Sequence, residues 1–242
     1  MNDELTGYCK RLRLGKGFVD NAKNIQADTH MEFLLMLLKA EVSNRESLRR
    51  EKLLTSAGFY SIKTFSEFKD DEITLPSGIT IENLKNLDFI KTNTNLVLYG
   101  NVGTGKTFLT TAIGVEACKR GISTKFFRTA ALVNQLSEAK KEGSLSSFIK
   151  KLLKTDLILL DELGYIPLDR TGAQLLFEVI SQCYEQKSLV INTNIEFSRW
   201  VNIFYDEQMT SAILDRLLHH CHLILFDGPS IRMQESSLFR NQ

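Results

Sequence analysis

The sequence predicts an α/β protein with a five-stranded parallel sheet flanked by helices, preceded by a small helical N-terminal domain. Three observations support this prediction. Short apolar segments alternate with segments of helical periodicity over the second part of the chain. One junction between such segments is a complete glycine-rich loop, and another apolar segment ends in two adjacent acids. In open α/β sheets, ligands bind at the edge where such strands end.

The composition is that of an ordinary globular protein from a reducing compartment. The chain has 242 residues, of which 43% are hydrophobic and 24% charged, so it can bury a large core. A formal net charge of +1 gives no strong global attraction to nucleic acid. The four cysteines form no C-x-x-C pair, and the chain shows neither a secretory leader nor an apolar run that could span a bilayer. We therefore expect a cytoplasmic location.

We predict a helical domain for residues 1–70 and an α/β domain for residues 71–242, with the boundary between about residues 65 and 78, in a polar stretch that contains Pro76. Thr29-His30-Met31-Glu32 has the form of a capping box at a helix start. The apolar residues that follow repeat with helical spacing and predict a helix with one buried stripe. They are Phe33, Leu34, Leu37, Leu38 and Val42.

The five strands are predicted from apolar runs that are nearly continuous, as in strands covered on both faces. The runs cover residues 96–99, 125–127, 157–160, 189–192 and 221–226. Helical segments lie between them, which is the order of a doubly wound sheet. Only 16 residues follow Phe226, so we expect no full C-terminal helical lid.

The glycine-rich loop is a complete G-x-x-x-x-G-K-[ST] motif between a predicted strand and a predicted helix. It reads Gly100-Asn101-Val102-Gly103-Thr104-Gly105-Lys106-Thr107, and we include Phe108 in the predicted ATP-binding segment. Backbone N–H groups of such a P-loop surround phosphate oxygens at a helix N-terminus. Lys106 is suited to the β- and γ-phosphates of ATP, and Thr107 to Mg²⁺. A chance glycine-rich turn is the alternative, and the flanking strand and helix argue against it.

Two acids end the apolar run Leu157-Ile158-Leu159-Leu160. We predict that Asp161 binds Mg²⁺ together with Thr107, and that Glu162 orients and activates the attacking water. The alternative is a strand that ends in a solvated acidic turn.

Further polar residues follow the later apolar runs. Asn194 is the preferred sensor of the γ-phosphate and Asn192 the alternative, although either could be a turn-forming asparagine. Arg216 is predicted to be an arginine finger for a neighbouring subunit, and the alternative is an ion pair within its own chain, with Asp215 or another acid. Arg232 is a weaker candidate for contacting the phosphates of its own subunit.

The run His219-His220-Cys221-His222 suggests a metal site at first sight. Adjacent residues at a transition from helix to strand point in different directions, and no zinc-finger spacing occurs elsewhere in the chain. We therefore predict a structural role for this run and no metal other than Mg²⁺.

These motifs together resemble the IstB family, AAA+ ATPase helpers of insertion-sequence transposases that are closely similar to the DnaC and DnaI helicase loaders. The resemblance rests on the P-loop and on residues 157–165, 192–200 and 213–219, and it extends to Leu12-Arg13-Leu14 and the helix that follows Glu32. It covers nearly the whole chain. The Asn192-Thr193-Asn194 segment departs from the more usual Thr-Ser-Asn, which leaves the sensor assignment open.

The resemblance implies an AAA+ core and an extra helix at residues 130–142 that faces DNA in the oligomer. It implies a protein that assembles head to tail on duplex DNA in an ATP-dependent way, selects target sites and recruits an IstA-type transposase. A DnaC/DnaI-like helicase loader is the alternative, and a small-molecule kinase is disfavoured by the acid pair. Candidate DNA contacts, each of which could instead be a solvated surface charge, are Lys10, Arg11, Arg13, Lys16, Lys140, Lys141 and Arg170.

Overall fold

The computed structural model describes residues 2–15 and 17–234, without the side chains of Asn2, Arg232 and Gln234. The predictions for Lys16 and for the Arg232 side chain therefore lie outside the described residues. The chain divides into two compact units, residues 1–53 and 54–242. The division comes earlier than the boundary predicted near residue 70, because the segment after residue 54 packs on the sheet of the second unit. In that segment Ala57 accepts a hydrogen bond of 2.7 Å from the backbone of Phe126.

The first unit is helical. Its helices are α1 (Asn2–Arg11), α2 (Phe18–Asn24) and most of α3 (His30–Ser56). The predicted start of α3 is confirmed, since the backbone N–H of Glu32 donates to the Thr29 hydroxyl at 3.1 Å. The prediction of a buried stripe on α3 is wrong: Leu37 is 6% exposed, but Leu34, Leu38 and Val42 are between 46% and 56% exposed. Two short helices cannot cover every apolar residue of a helix of 27 residues.

The second unit is built on a six-stranded sheet. Its strands are β1 (Ile73–Thr74), β2 (Asn95–Gly100), β3 (Thr124–Arg128), β4 (Leu157–Leu163), β5 (Ser188–Thr193) and β6 (Cys221–Phe226). They lie in the order β1-β6-β2-β5-β4-β3. The five predicted strands are confirmed and run parallel, whereas the short β1 is antiparallel to β6 at the edge. The carboxyl ends of β2, β4 and β5 therefore meet at one edge of the sheet.

Helices cover both faces of this sheet, so the strands are apolar throughout. One core lies against α6 and includes Leu96 and Ile113, and the other lies against α7 and α9 and includes Val97 and Trp200. The helices are α4 (Ile81–Asn86), α5 (Asp88–Lys91), α6 (Lys106–Lys119), α7 (Thr129–Lys141), α8 (Leu145–Leu152), α9 (Arg170–Cys183), α10 (Val201–Phe204), α11 (Glu207–His219) and α12 (Ile231–Gln234). The helix expected at residues 130–142 is thus present as α7. Within the described chain, no helix is long and apolar enough to cross a membrane.

Candidate nucleotide site

The P-loop joins β2 to α6 and leaves the N-terminus of α6 facing a cavity. Gly103 and Gly105 have φ angles of +85° and +100°, which glycine adopts without strain. Lys106 is buried, and its Nζ donates to the carbonyl oxygens of Gly100 and Asn101 at 2.7 and 2.5 Å. The unpaired N–H groups at the start of a helix and the lysine charge favour an anion at this position.

The acid pair lies on a β-bulge at the end of β4. Leu160 pairs with Ile191 of β5 and Leu163 pairs with Thr193, so Asp161 and Glu162 together oppose one residue of β5. The φ angle of Glu162 is +59°, which is uncommon for a residue other than glycine. Bulges of this kind change the direction of a side chain next to a functional site. Here Asp161 is buried while Glu162 lines the cavity.

Asp161 meets the threonine of the P-loop. The Thr107 hydroxyl donates to Asp161 Oδ1 at 3.1 Å, and the Asn192 side chain also donates to this oxygen. Burial raises the pKa of Asp161, and the hydrogen bonds from Thr107 and Asn192 oppose that rise. A hydroxyl and a carboxylate in contact are the hard oxygen ligands that Mg²⁺ prefers, so these two side chains fit the ion.

Glu162 forms an ion pair that the sequence analysis missed. Arg128 Nε lies 3.5 Å from Glu162 Oε2, and the Arg128 guanidinium lies over the ring of Tyr60, 4.5 Å from its centroid. Arg128 is the last residue of β3 and is paired in register with Asp161. A partly exposed pair of this kind contributes only about 0–1 kcal/mol to stability, but it holds the Glu162 carboxylate beside the cavity.

The two asparagines at the end of β5 occupy different positions. Asn192 is buried and donates to Asp161 and, at 3.2 Å, to the Thr107 hydroxyl. Asn194 is half-buried and lines the cavity. Both asparagines line the cavity, but only Asn192 contacts the side chains suited to Mg²⁺.

The cavity has a volume of about 460 Å³, enough for a nucleotide. Ser61 and Lys63, from the segment that precedes the sheet, line it together with Phe108. Lys63 Nζ lies 5.2 Å above the Phe108 ring, and Phe68 packs against the same ring with a centroid distance of 5.8 Å. The sequence analysis included Phe108 but missed Ser61, Lys63 and Phe68. The aromatic residues between 59 and 68 were a signal for this segment.

The segment after β6 closes the other side of the P-loop. The backbone N–H of Ile231 donates to the carbonyl of Gly103 at 3.0 Å, and the Ile231 side chain lines the cavity. A Cβ at Gly103 would come within 2.2 Å of Ser230 Oγ, so this contact requires glycine.

Arg216 lies away from this cavity. Helix α11 ends near the start of β2, where the Asn95 side chain donates to the carbonyl of Leu217 at 3.1 Å. The P-loop follows the opposite end of β2. Arg216 therefore lies near the amino-terminal ends of the strands, away from the nucleotide cavity of its own chain at their carboxyl ends. Its guanidinium donates to the carbonyl of Ala212 and lies 5.6 Å from the Phe177 ring centroid. Among the described residues Arg216 makes no ion pair with Asp215 or another acid, which was the alternative to a finger role.

The candidate DNA contacts among the described residues are on the surface. Lys10, Arg11 and Arg13 are exposed in the first unit, and Lys140, Lys141 and Arg170 are exposed in the second. In the first unit the Arg13 carbonyl accepts a 2.6 Å hydrogen bond from Arg45, whose Nε pairs with the buried Glu41. This network fixes the backbone that carries Arg13.

The histidine run differs from its predicted geometry. The rings of His219 and His220 do not diverge but lie 4.2 Å apart between centroids. One donor atom from each and a carboxylate oxygen of Glu185 lie within 4.8 Å of one another. The prediction that adjacent residues point apart is therefore wrong for this pair, because the chain bends at His220, the residue that follows α11.

Comparison with known proteins finds a family and relatives that are named as ATP-binding proteins. The family described as IstB-like ATP binding protein matches residues 16–238. The chain is 34% identical to a protein named as an ATP-binding protein of insertion sequence IS5376 from Geobacillus stearothermophilus, with 98% of this chain and 97% of that protein covered. It is also 34% identical to one named for insertion sequence IS21 from Pseudomonas aeruginosa, with 85% and 78% covered.

Solved structures with the same fold are more distant in sequence. A crystal structure of DnaI superposes with a TM-score of 0.55 at 18% identity, covering 74% of this chain and 92% of that one. DnaA from Aquifex aeolicus bound to AMPPCP gives a TM-score of 0.51 at 22% identity, covering 64% and 46%. These similarities show that the second unit has the AAA+ type of P-loop fold.

Proposed function

Since this chain belongs to the family of IstB-like ATP binding proteins of insertion sequences, we propose that it is a Mg²⁺-dependent ATPase that assists transposition on DNA. The observation that carries the proposal is the contact between Thr107 Oγ1 and Asp161 Oδ1, at 3.1 Å, beside the P-loop lysine. These two oxygens, with Lys106 and Glu162 on the same cavity, are the groups that phosphoryl transfer from ATP to water requires.

In the proposed reaction the P-loop binds the phosphates and Glu162 acts on the water. Backbone N–H groups and Lys106 hold the β- and γ-phosphates, and Thr107 and Asp161 would hold Mg²⁺, which would neutralise charge on them. Glu162 orients a water and accepts its proton as the oxygen bonds to the γ-phosphorus. The bond from that phosphorus to the bridging oxygen breaks, ADP leaves, and the proton passes to phosphate. Asn194 contacts the γ-phosphate or the water from the cavity wall.

We propose that Arg216 completes the site of a neighbouring copy. Arg216 lies near the amino-terminal ends of the strands, away from the P-loop of its own chain. It can therefore reach a γ-phosphate only if subunits pack head to tail. A head-to-tail contact that does not close produces a spiral or filament. Such an assembly would repeat the exposed cations of both units along a DNA backbone, which allows binding at a net charge of +1.

The proposed partners are duplex DNA and an IstA-type transposase. The names of the relatives, which refer to insertion sequences, support this assignment. We propose Lys10, Arg11, Arg13, Lys140, Lys141 and Arg170 as phosphate contacts, on the basis of their exposure. ATP binding would promote assembly and target selection, and hydrolysis would reverse assembly.

A helicase loader is the second candidate function, and the similarity of fold to DnaI favours it. The two functions differ in their DNA. A transposition helper assembles on duplex, whereas a loader acts on single strands and binds a hexameric helicase.

The test is fluorescence anisotropy of a labelled duplex, titrated with protein in the presence of Mg²⁺ and either ATP or no nucleotide. We expect binding that needs ATP, falls steeply between 50 and 200 mM salt and is lost in Lys106→Ala. Binding that ignores both nucleotide and salt would contradict the proposal. A single strand bound more tightly than the duplex would favour the loader.

A further inference from the structure

A second cavity lies beside β3, the strand at the edge of the sheet. It has a volume of about 420 Å³, close to that of the nucleotide cavity. Its walls come from the segment 56–60, from β3, and from one face each of α7 and α8. We call it the edge cavity. Glu162 and the P-loop do not line it, so it is separate from the site described above.

The charge in the edge cavity is positive. Lys125, Arg128 and Lys151 line it, and none of the lining residues that the structure describes is acidic. Lys125 also donates to the carbonyl of Ser56, which directs its ammonium group along the cavity wall. Glu162 pairs with Arg128 and offsets part of its charge, so the net positive charge comes mainly from Lys125 and Lys151. Cations in one concave surface attract an anion more strongly than the same cations spread on a convex one.

The edge cavity also offers an exposed aromatic ring in a fixed orientation. Tyr60 is 67% exposed, yet its ring packs edge-on against Phe126, with centroids 6.0 Å apart, and carries the Arg128 guanidinium at 4.5 Å. Arg128 is itself held by its pairing with Glu162. A ring and a guanidinium plane held in this way are both stacking surfaces for a planar base. Because they are already ordered, binding costs little conformational entropy.

Addition of a peptide strand to β3 fits this cavity less well. The backbone N–H of Phe126 already donates to Ala57, so the segment 57–60 occupies part of the edge that a new strand would need.

We propose that the edge cavity binds one nucleotide unit, a phosphate ester that carries an aromatic base. Lys151 and Lys125 contact the phosphate, and the base stacks on Tyr60 and Arg128. The same chemistry has two sources, an unpaired nucleotide in a DNA strand or a free nucleotide. The DNA source rests on the proposed function, since a strand opened or deformed during assembly would present such a unit.

The chain offers matched controls for both contacts. Lys150 is the exposed neighbour of Lys151 on α8 but does not line the cavity, so Lys150→Ala removes the same charge from the same helix. Tyr60→Phe keeps the ring that Tyr60→Ala removes. Because Tyr60, Lys150 and Lys151 are exposed, the four variants should fold, which the thermal unfolding of each would verify.

The experiment uses the full chain with Mg²⁺ and three probes: a labelled single-stranded oligothymidine, a duplex that contains it, and thymidine monophosphate. ATP is present at one fixed concentration with the first two probes and is left out with the third, because ATP is itself a nucleotide and would compete. Anisotropy reports the first two and titration calorimetry the third. We expect Lys151→Ala to weaken the single strand and the mononucleotide about tenfold relative to Lys150→Ala at low salt. We expect Tyr60→Ala to weaken the same two probes about tenfold relative to Tyr60→Phe, with no effect on the duplex.

The outcomes separate this proposal from the proposed function. If the wild-type protein binds DNA but both pairs of variants behave alike with every probe, the edge cavity is not a nucleotide site and the proposed function stands. If the wild-type protein binds no DNA but binds the mononucleotide in a way that depends on Tyr60 and Lys151, the edge cavity is supported and the DNA-dependent function fails.

Discussion

Replacing the buried Asp161 by asparagine should stabilise the second unit although it destroys the Mg²⁺ site. Asp161 is 2% exposed, and burial raises the pKa of its carboxyl group. The folded protein therefore binds this proton more tightly than the unfolded chain does. Stability falls as pH rises from the model-peptide value near 3.8 through the folded pKa, and above the folded pKa the charged carboxylate costs its full amount.

The size of the gain in stability depends on which interactions of Asp161 the asparagine side chain keeps. Its Oδ1 can still accept from the Thr107 hydroxyl and from Asn192, so these two hydrogen bonds remain while the charge is lost. Substitutions that relieve such a cost typically stabilise a protein by about 0.5–2 kcal/mol. In a domain of this size each kcal/mol raises the melting temperature by about 2–4 °C. We therefore expect Asp161→Asn to melt about 1–8 °C higher than the wild-type protein at pH 8.

The assay is thermal unfolding followed by Trp200, the one tryptophan of the chain, which is buried in the second unit. Unfolding is recorded without nucleotide or divalent metal at pH 8 and pH 5.5, with Glu162→Gln as the control for a more exposed acid. The advantage of Asp161→Asn should shrink at the lower pH and should be absent from the control. A variant that melts below the wild-type protein at pH 8, or a difference that does not depend on pH, would refute the reasoning.

Three further predictions concern turnover. Glu162→Gln should bind ATP normally in equilibrium titration but hydrolyse it about 10²- to 10⁴-fold more slowly in a phosphate-release assay; normal turnover would remove Glu162 from its role. Arg216→Ala should also bind ATP without turning it over, and mixing it with Lys106→Ala should restore part of the activity, whereas no recovery would argue against action on a neighbour. Asn192→Ala should weaken ATP binding only when Mg²⁺ is present, and Asn194→Ala should reduce turnover at unchanged affinity; the reverse pattern would make Asn192 the sensor.

The parallel sheet was predictable because each of its strands is marked by its own short stretch of sequence. Each of its five strands is a nearly continuous apolar run, and the connections between them are helical. The strand β1 was missed because two residues carry no pattern. The structure divides the chain earlier than predicted, at residues 53 and 54, because the partners of the segment 54–70, Phe126 among them, are distant in the chain.

In the candidate site, too, the residues marked by a local motif were predictable, and those that depend on distant contacts were not. Two motifs whose spacing indicates their chemistry predict four of the site residues, Lys106, Thr107, Asp161 and Glu162. The structure brings all four to one cavity or its base. Arg128 could not be predicted, since an arginine at the end of an edge strand has no distinctive sequence context and its contact with Glu162 depends on strand order. The exposure of the α3 stripe likewise depends on which helices pack against it.

The most direct test of the central claim is calorimetric titration of the wild-type protein with ATP, in the presence of Mg²⁺ and again with the metal chelated. The arrangement of Lys106, Thr107 and Asp161 predicts one Mg²⁺-dependent site per chain, tighter with Mg²⁺ than without it and absent in Lys106→Ala. If no Mg²⁺-dependent site is found, or if that site persists in Lys106→Ala, the P-loop and the acid pair do not form the nucleotide site.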